Sequence, residues 1–188
     1  CNPDLTADFA EQCRALGRPL LTVALLNREL PFMVNDAIID TRDIEAIAVA
    51  PDENAAYLIS KRDNRPSLYR ISLAHAKEAQ VTELVASDLG AINIPRADRN
   101  NRYFNWVTAM DFSESGRWAY VGTLSHGYRY ARAPGQTWPD ALQQAPIAFS
   151  QPKLTQIEGG CFDFRDDQQI FVISENLPAK MARIKLSA

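Results

Sequence analysis

Apolar and polar residues follow one pattern in three segments of this chain, which begin at Ile44, Val107 and Ile157. In each segment a short strand rich in small residues leads into a polar turn, and a second, strongly apolar strand follows. The first two segments align without a gap, and the third aligns after a slip of one residue near the turn. Short apolar runs bounded by polar turns predict pairs of antiparallel strands.

Each strand pair is followed by more sequence of β type. Third strands are predicted at Ser67–Leu73, Tyr128–Ala131 and Met181–Leu186, and fourth strands at Val81–Ala86 and Ile147–Phe149. The repeat recurs at roughly 50–60 residues, near the ~40–50 residues of β-propeller blades. We therefore predict an all-β fold of about three four-stranded antiparallel blades in an incomplete ring, of which the last has only three strands. A β-sandwich with coincidental similarity between the segments is the alternative.

The small residues of the first strands have a physical reason in such blades, because the innermost strands converge on a crowded central channel. The second strands would be buried between neighbouring blades, where large apolar side chains are favoured. The small residues concerned are Ala46, Ala48, Ala109, Gly159 and Gly160.

The first part of the chain has a different pattern. Residues 1–19 are predicted to form a separate N-terminal segment with a short amphipathic helix at Leu5–Leu16, and residues 20–188 form the blades. Leu20–Leu26 is predicted to be a strand that belongs to none of the three blades. It would supply the missing edge strand of a blade in the same or another chain. A further strand is predicted at Phe32–Ile39.

Composition narrows the class of protein. The chain has 188 residues, of which 46% are hydrophobic and 23% charged, and its net charge is −3. An acidic chain with scattered basic residues argues against nucleic-acid binding. No apolar run approaches the ~18–20 residues that a membrane helix needs. Contact with a membrane is therefore expected only through a lipid.

The three cysteines bear on the cellular location of the protein and on its disulfide bonds. The chain begins with Cys1, as a bacterial lipoprotein does once its signal peptide is removed, which predicts lipidation at Cys1 and a periplasmic or extracellular protein. An arbitrary boundary is the alternative. Three cysteines cannot all pair within the chain. A Cys13–Cys161 disulfide and a Cys1–Cys13 disulfide are two alternative pairings. An isolated buried thiol is nevertheless the expected state of Cys161.

Carboxylates are the main candidates for chemistry. Glu45 and Glu158 occupy the same place in two first strands, and Asp111 lies three residues beyond the matching Thr108. Facing the channel, these carboxylates would bind Ca²⁺ or act as general acid and base. A hydrated polar channel is the alternative. His75 and His126 are expected at the surface, and no catalytic residue is assigned because no catalytic motif occurs.

A loop that ends at Trp106 mixes arginine with aromatic residues, as binding hot spots do. A loop pinned by its own aromatic side chains is the alternative, and the same holds for a second loop at Ala133–Asp140. The predicted partner-binding residues are Arg99, Arg102, Tyr103, Phe104 and Trp106.

The segments Asp43–Asp52, Ala56–Arg62, Leu68–Arg70 and Glu158–Glu175 together resemble bacterial six-bladed β-propeller proteins of the phytase-like and esterase-like group. The resemblance covers about residues 43–186, and its motifs are structural. It implies a propeller fold, and some members of the group are calcium-dependent hydrolases.

Three blades cannot close a ring, since propellers need at least about four. Missing blades or another protein chain are therefore expected to complete this one, in preference to a homodimer. The sequence thus predicts a protein-binding or assembly subunit outside the cytoplasm. The alternative function is a metal-assisted hydrolase of phosphate or carboxylic esters.

Overall fold

The computed structural model describes residues 31–34, 37–41, 43–74, 86–96, 101–175 and 177–186, without the side chains of 31–41 and 102. Within this described part of the chain, no helix has the length and hydrophobicity that crossing a bilayer requires. Several predictions of the sequence fall outside these residues: the helix Leu5–Leu16, the strand Leu20–Leu26, Cys1, Cys13, His75 and Arg99.

Three antiparallel sheets make up most of the described chain, and in each the strands are neighbours in the order in which they follow along the chain. These sheets are called blades 1, 2 and 3. Blade 1 consists of β3 (Ile44–Val49), β4 (Ala55–Ser60), β5 (Ser67–Ser72) and β6 (Ala86–Ala91). Blade 2 consists of β7 (Val107–Phe112), β8 (Trp118–Thr123), β9 (His126–Ala131) and β10 (Ile147–Ser150). Blade 3 has β11 (Ile157–Asp163), β12 (Asp166–Ser174) and β13 (Met181–Lys185).

The chain enters blade 1 from a separate hairpin of β1 (Pro31–Val34) and β2 (Ala37–Thr41), and β1 contacts β6. The sequence predicted one strand at Phe32–Ile39. The structure has two strands in this region, β1 and β2.

The three blades are structural repeats down to their irregularities. The register shifts just after the first residue of each innermost strand, so that Glu45, Thr108 and Glu158 are the bulged residues of β3, β7 and β11. A bulge at the same place in three sheets does not arise by chance from unrelated strand pairs. The alignment of the three segments is therefore confirmed.

A backbone hydrogen bond closes each strand pair in the same way. The amide of the residue after the second strand donates to the carbonyl of a residue just before the first strand. The three bonds are Lys61 N to Asp43 O at 2.8 Å, Leu124 N to Trp106 O at 3.3 Å, and Glu175 N to Gln156 O at 3.0 Å.

The innermost strands of the blades lie side by side, because β7 contacts both β3 and β11. Their small residues permit this approach: Ala46 and Ala109 are buried, and a Cβ on Gly160 would lie 2.6 Å from the ring of Tyr120 in blade 2. Successive sheets that meet at their innermost strands form propeller blades, and the described blades do not close a ring. The prediction of an all-β, incomplete propeller is confirmed.

One short helix, α1 (Trp138–Leu142), lies between β9 and β10, where the sequence predicted a loop. Thr137 caps it by accepting from the amide of Asp140 at 3.3 Å, and Trp138 and Leu142 are fully buried. A helix of five residues is too short to show helical periodicity, which explains why the sequence pattern missed it.

The fourth strand of blade 1 begins at Ala86, where the sequence prediction of Val81–Ala86 ended. This outermost strand has only one buried residue, so it lacks the apolar pattern from which the inner strands were predicted.

Candidate functional site

The bulges of β3 and β11 bring two glutamates together around one lysine. A bulge changes the direction in which a strand presents its side chain. The ammonium of Lys61 contacts the Oε2 atom of Glu45 directly and lies 3.8 Å from the Oε2 atom of Glu158. Thr108, the bulged residue between them, instead donates from Oγ1 to the carbonyl of Ile157 at 2.7 Å and ties β7 to β11. We call Glu45, Lys61, Trp106 and Glu158 the channel-mouth cluster.

Lys61 is the residue of this cluster that the sequence reading missed. Its side chain is only 7% exposed, and its ammonium lies 5.6 Å from the centre of the Trp106 ring. The guanidinium of Arg62 lies over the same ring at 4.9 Å. The sequence contains a signal for the burial of Lys61, because the next repeat has Leu124 at the position where blade 1 has Lys61. A lysine at a position that also accepts leucine is a candidate for burial.

Electrostatics set the protonation of the cluster. Burial, a hydrogen bond that protonated Glu158 donates to Glu45, and the charges of Glu45 and Glu175 raise the pKa of Glu158 to about 7, against the opposing effect of Lys61. Glu158 therefore exchanges its proton near neutral pH, beside the carboxyl group of Glu45. Such a pair can donate and accept a proton at one place.

Asp111, the third predicted ligand, lies apart from the two glutamates. Its Oδ2 atom accepts the amide of Phe162 at 2.8 Å, so it joins blade 2 to blade 3. Burial raises its pKa to about 6.

The channel-mouth cluster as placed does not fit a Ca²⁺ ion, which takes six to eight oxygen ligands, because an ammonium lies between its two carboxylates. In the part of the chain that the structure describes, no three His, Cys, Asp or Glu side chains are grouped to hold a metal ion.

The loop that ends at Trp106 lies next to the channel-mouth cluster, of which Trp106 is a member. A 3-10 helix at Arg102–Asn105 presents Tyr103 and Phe104, which are 49% and 43% exposed. The Tyr103 ring packs edge-on against the Trp106 ring at 4.5 Å, and Ser125 Oγ donates to the Phe104 carbonyl at 2.8 Å. The loop is therefore held by its own aromatic side chains and also presents two rings to solvent.

A second feature is a contact that recurs between blades. The Tyr57 ring of blade 1 packs edge-on against the Phe112 ring of blade 2, with centroids 5.6 Å apart and planes at 74°. The Tyr120 ring of blade 2 packs in the same way on Phe162 of blade 3, at 6.5 Å and 80°. Both tyrosines are buried, so each blade contributes one aromatic residue to the face that the next blade covers.

On blade 3 the equivalent face is only partly covered, and Phe171 on this face is half-buried. Phe171 pairs with Cys161 in the sheet, as Tyr120 pairs with Asp111, so Phe171 is the counterpart of that tyrosine. Its neighbour Ile173 is 44% exposed, and Met181 in the adjoining strand is 69% exposed. We call Cys161, Phe171, Ile173 and Met181 the terminal face.

The terminal face corrects one expectation. Cys161 is a free, exposed thiol, so the prediction of a buried thiol was wrong. The strand is apolar as expected, but in the described chain its far face has no following blade.

The first innermost strand shows the other half of the recurring contact. Val49 in β3 holds the position of Phe112 in β7 and Phe162 in β11. The two phenylalanines are 5% and 7% exposed, whereas Val49 is 46% exposed. The three described blades form an arc. Phe171 at one end of the arc and Val49 at the other therefore lack the partner that their counterparts have between blades.

No known protein-family profile matches the sequence, and no curated protein matches it. Some solved structures are similar to part of the chain. Hydrazine synthase from Kuenenia stuttgartiensis is 12% identical with a TM-score of 0.47, and the match covers 76% of this chain and 34% of that one. A chain of a nidogen/laminin complex is 14% identical with a TM-score of 0.47, and the match covers 77% and 44%.

The chain thus spans less than half the length of both solved chains. The propeller assignment rests on the repeated blades themselves, and membership of the phytase-like and esterase-like group stays a prediction.

Proposed function

We propose that this chain is a protein-binding or assembly subunit whose terminal face is covered by a β-blade of another polypeptide. One observation carries the proposal: the terminal face repeats, position by position, the faces that blades 1 and 2 bury against their neighbours, yet most of its residues are exposed and Phe171 is only half-buried. Exposed apolar faces of this kind are sites of association, because covering them removes apolar surface from water.

The outer edge of blade 3 supports the same role. Blades 1 and 2 have four strands, whereas blade 3 has three, and in the described sheets β13 is paired on one side only. A free strand edge presents unpaired backbone amides and carbonyls that accept a further strand. The missing partner is therefore expected to contact both the terminal face and this edge.

Photo-crosslinking in the native cell extract tests the proposal. A photoreactive amino acid at Ile173 is expected to link to a second polypeptide. The matched control is Ile147 in the outermost strand of blade 2, which is 55% exposed but lies away from the terminal face. No linked polypeptide at Ile173, or equal linking at both positions, would contradict the proposal.

A location outside the cytoplasm is a further part of this proposal. Fractionation of native cells tests it. We expect the protein outside the cytoplasm, and its recovery from the cytoplasm would oppose this.

A second candidate function follows from the paired carboxyl groups of the channel-mouth cluster. Glu158, whose pKa is raised to about 7, and the adjacent Glu45 are placed for general acid–base hydrolysis of phosphate or carboxylic esters. No metal is needed for such a step, since one carboxyl group activates water and the other protonates the leaving oxygen.

Chromogenic aryl phosphate and aryl acetate esters test this candidate. Activity is expected to peak near neutral pH and to fall at least ~100-fold in Glu158→Gln, the usual size of a general acid–base contribution. Glu114→Gln, at an exposed turn, is the matched control. Activity that is absent in the unaltered protein, or equal in both variants, rules hydrolysis by this pair out.

A further inference from the structure

We propose that a groove at the outer part of blade 1 binds a small molecule that carries an oxyanion, either a phosphate or a carboxylate group. The groove has a volume of about 1040 Å³ and lies where the paired ends of β5 and β6 meet the loop after β6 and the end of α1. None of its lining residues belongs to the terminal face or to the channel-mouth cluster, so this inference does not rest on the proposed function. Six polar residues line the groove: Asn64, Arg65, Ser67, Asn93, Arg96 and Gln143.

Hydrogen bonds fix the loop after β6, which forms one wall of the groove. The amide of Ile92 donates to the carbonyl of Pro66 at 2.9 Å, and the amide of Asn93 donates to the carbonyl of Leu142 at 2.9 Å. The carbonyl of Asn93 accepts the hydroxyl of Tyr130 at 2.9 Å. These main-chain groups are occupied by the protein itself, so the side chains of the groove are what a ligand meets.

Two arginines give the groove its charge. The Nη2 atom of Arg96 donates to the carbonyl of Asn64 at 2.8 Å and lies 3.4 Å from the Oδ1 atom of the same residue. One nitrogen thus anchors this guanidinium, and its Nε and Nη1 atoms make no hydrogen bond within the described residues. Arg65 is exposed, and in the described part of the chain no hydrogen bond or ion pair holds its side chain.

The groove is positive in a chain that is negative overall. The chain has 23 acidic and 20 basic side chains, yet the described residues that line this groove include two arginines and no Asp or Glu. Guanidinium groups carry a planar set of donors that matches the oxygens of phosphate and carboxylate, and such charge-assisted bonds are about twice as strong as neutral ones. An oxyanion is therefore the group that these two side chains recognise.

The rest of the lining indicates what the oxyanion is attached to. The carboxamides of Asn93 and Gln143 and the hydroxyl of Ser67 both donate and accept hydrogen bonds, as the hydroxyl groups of a ligand require. The volume lies at the upper end of the ~300–1,000 Å³ of small-molecule sites, so it has room for more than a bare ion. A sugar phosphate or a sugar acid has this combination of groups.

Three hexoses that differ only at C6 test the proposal. Glucose 6-phosphate carries a phosphate ester there, glucuronate a carboxylate and glucose a hydroxyl. Each is titrated into the 188-residue chain at low ionic strength, and the side-chain amide resonances of Asn93 and Gln143 are followed by nuclear magnetic resonance. We expect at least one of the two anions to shift these resonances in a saturable way and glucose to leave them unchanged. The anion that binds more tightly identifies the oxyanion.

Variants of the two arginines locate the binding. Arg65→Gln and Arg96→Gln are each expected to weaken binding of the anion by about 10-fold or more, because each removes hydrogen bonds from a charged donor. Arg65→Lys should recover part of the loss, since it keeps the charge but not the planar fork of donors. Arg165→Gln, at an exposed turn of blade 3, is the matched control and should bind as the unaltered protein does. Circular dichroism checks that every variant is folded.

The contrary outcomes are equally definite. The proposal is overturned if neither anion shifts the two amides, if glucose binds as well as the anions do, or if Arg165→Gln weakens binding as much as Arg65→Gln. A hexaglutamate peptide provides the last arm. If this peptide binds in a manner that depends on Arg65 while all three hexoses fail, the groove takes an acidic polypeptide and the small-molecule assignment is wrong.

Discussion

The interior of the arc and its terminal face present the same structural positions in different surroundings. Tyr57, Tyr120 and Phe171 are counterparts in three blades, and the first two are buried while the third is half-buried. Ile59 and Ile173 differ in the same way, at 0% and 44% exposure. Strand formation is thus fixed within each blade, whereas burial of its face depends on the blade that follows.

Tyr120 and Phe171 are expected to show the largest difference in their contribution to the free energy of unfolding. Tyr120→Ala is expected to lower the free energy of unfolding by about 3–5 kcal/mol, because it empties a fully buried site between two blades. Phe171→Ala should cost about 1 kcal/mol in dilute protein, because water already reaches its face. Urea denaturation of both variants measures this. Equal costs would show that the terminal face is covered within a single chain.

The next comparison concerns charge at the two faces. Asp111 and Cys161 are counterparts, but only Asp111 is enclosed by a following blade. Burial raises the pKa of Asp111 from 3.8 to about 6. Its contribution to stability is therefore complete below about pH 4 and is lost as the pH rises through about 6, because the unfolded chain releases this proton first.

Asp111→Asn tests that comparison. The loss of stability between about pH 4 and pH 6 should shrink by about 2–3 kcal/mol, the equivalent of a shift of about two pKa units. Cys161→Ala should leave the pH profile unchanged. Thermal unfolding across this pH range provides the measurement, and parallel profiles for Asp111→Asn and the unaltered protein would refute the assignment.

The sequence predicted features that depend on local pattern and missed those that depend on neighbours. The starts of the innermost strands at Ile44, Val107 and Ile157 were predicted correctly, because alternation within a strand reflects its own two faces. The burial of Lys61 and the exposure of Cys161 were not, since each is decided by whether another blade lies beside it.

The same reasoning explains which of the predicted site residues lie close together in the structure. Glu45 and Glu158 come together because they hold one repeat position, which the alignment already showed. Asp111 was grouped with them only by its separation from Thr108, and that separation places it farther along its strand, where it meets the amide of Phe162.

The smallest difference in stability is expected between alanine substitutions at two adjacent glycines of β11. A Cβ on Gly160 would lie 2.6 Å from a ring carbon of Tyr120, which is fully buried and cannot move aside. A Cβ on Gly159 would lie 2.9 Å from the Cγ2 atom of Ile173, whose exposed side chain can rotate away. Gly160→Ala should therefore cost about 1–3 kcal/mol from overpacking. Gly159→Ala should cost less, because rotation of the exposed Ile173 side chain relieves the close approach, and the smaller freedom of the unfolded chain offsets part of the cost.

A double-mutant cycle attributes the cost of Gly160→Ala to the contact between blades. In a Tyr120→Ala background the methyl group meets no ring, so the added cost of Gly160→Ala should disappear. If the cost persists there, it comes from the β11 backbone itself. In that case the close approach of blades 2 and 3 would not be what requires glycine at this position, and the contrast with the open side of the strand would lose its basis.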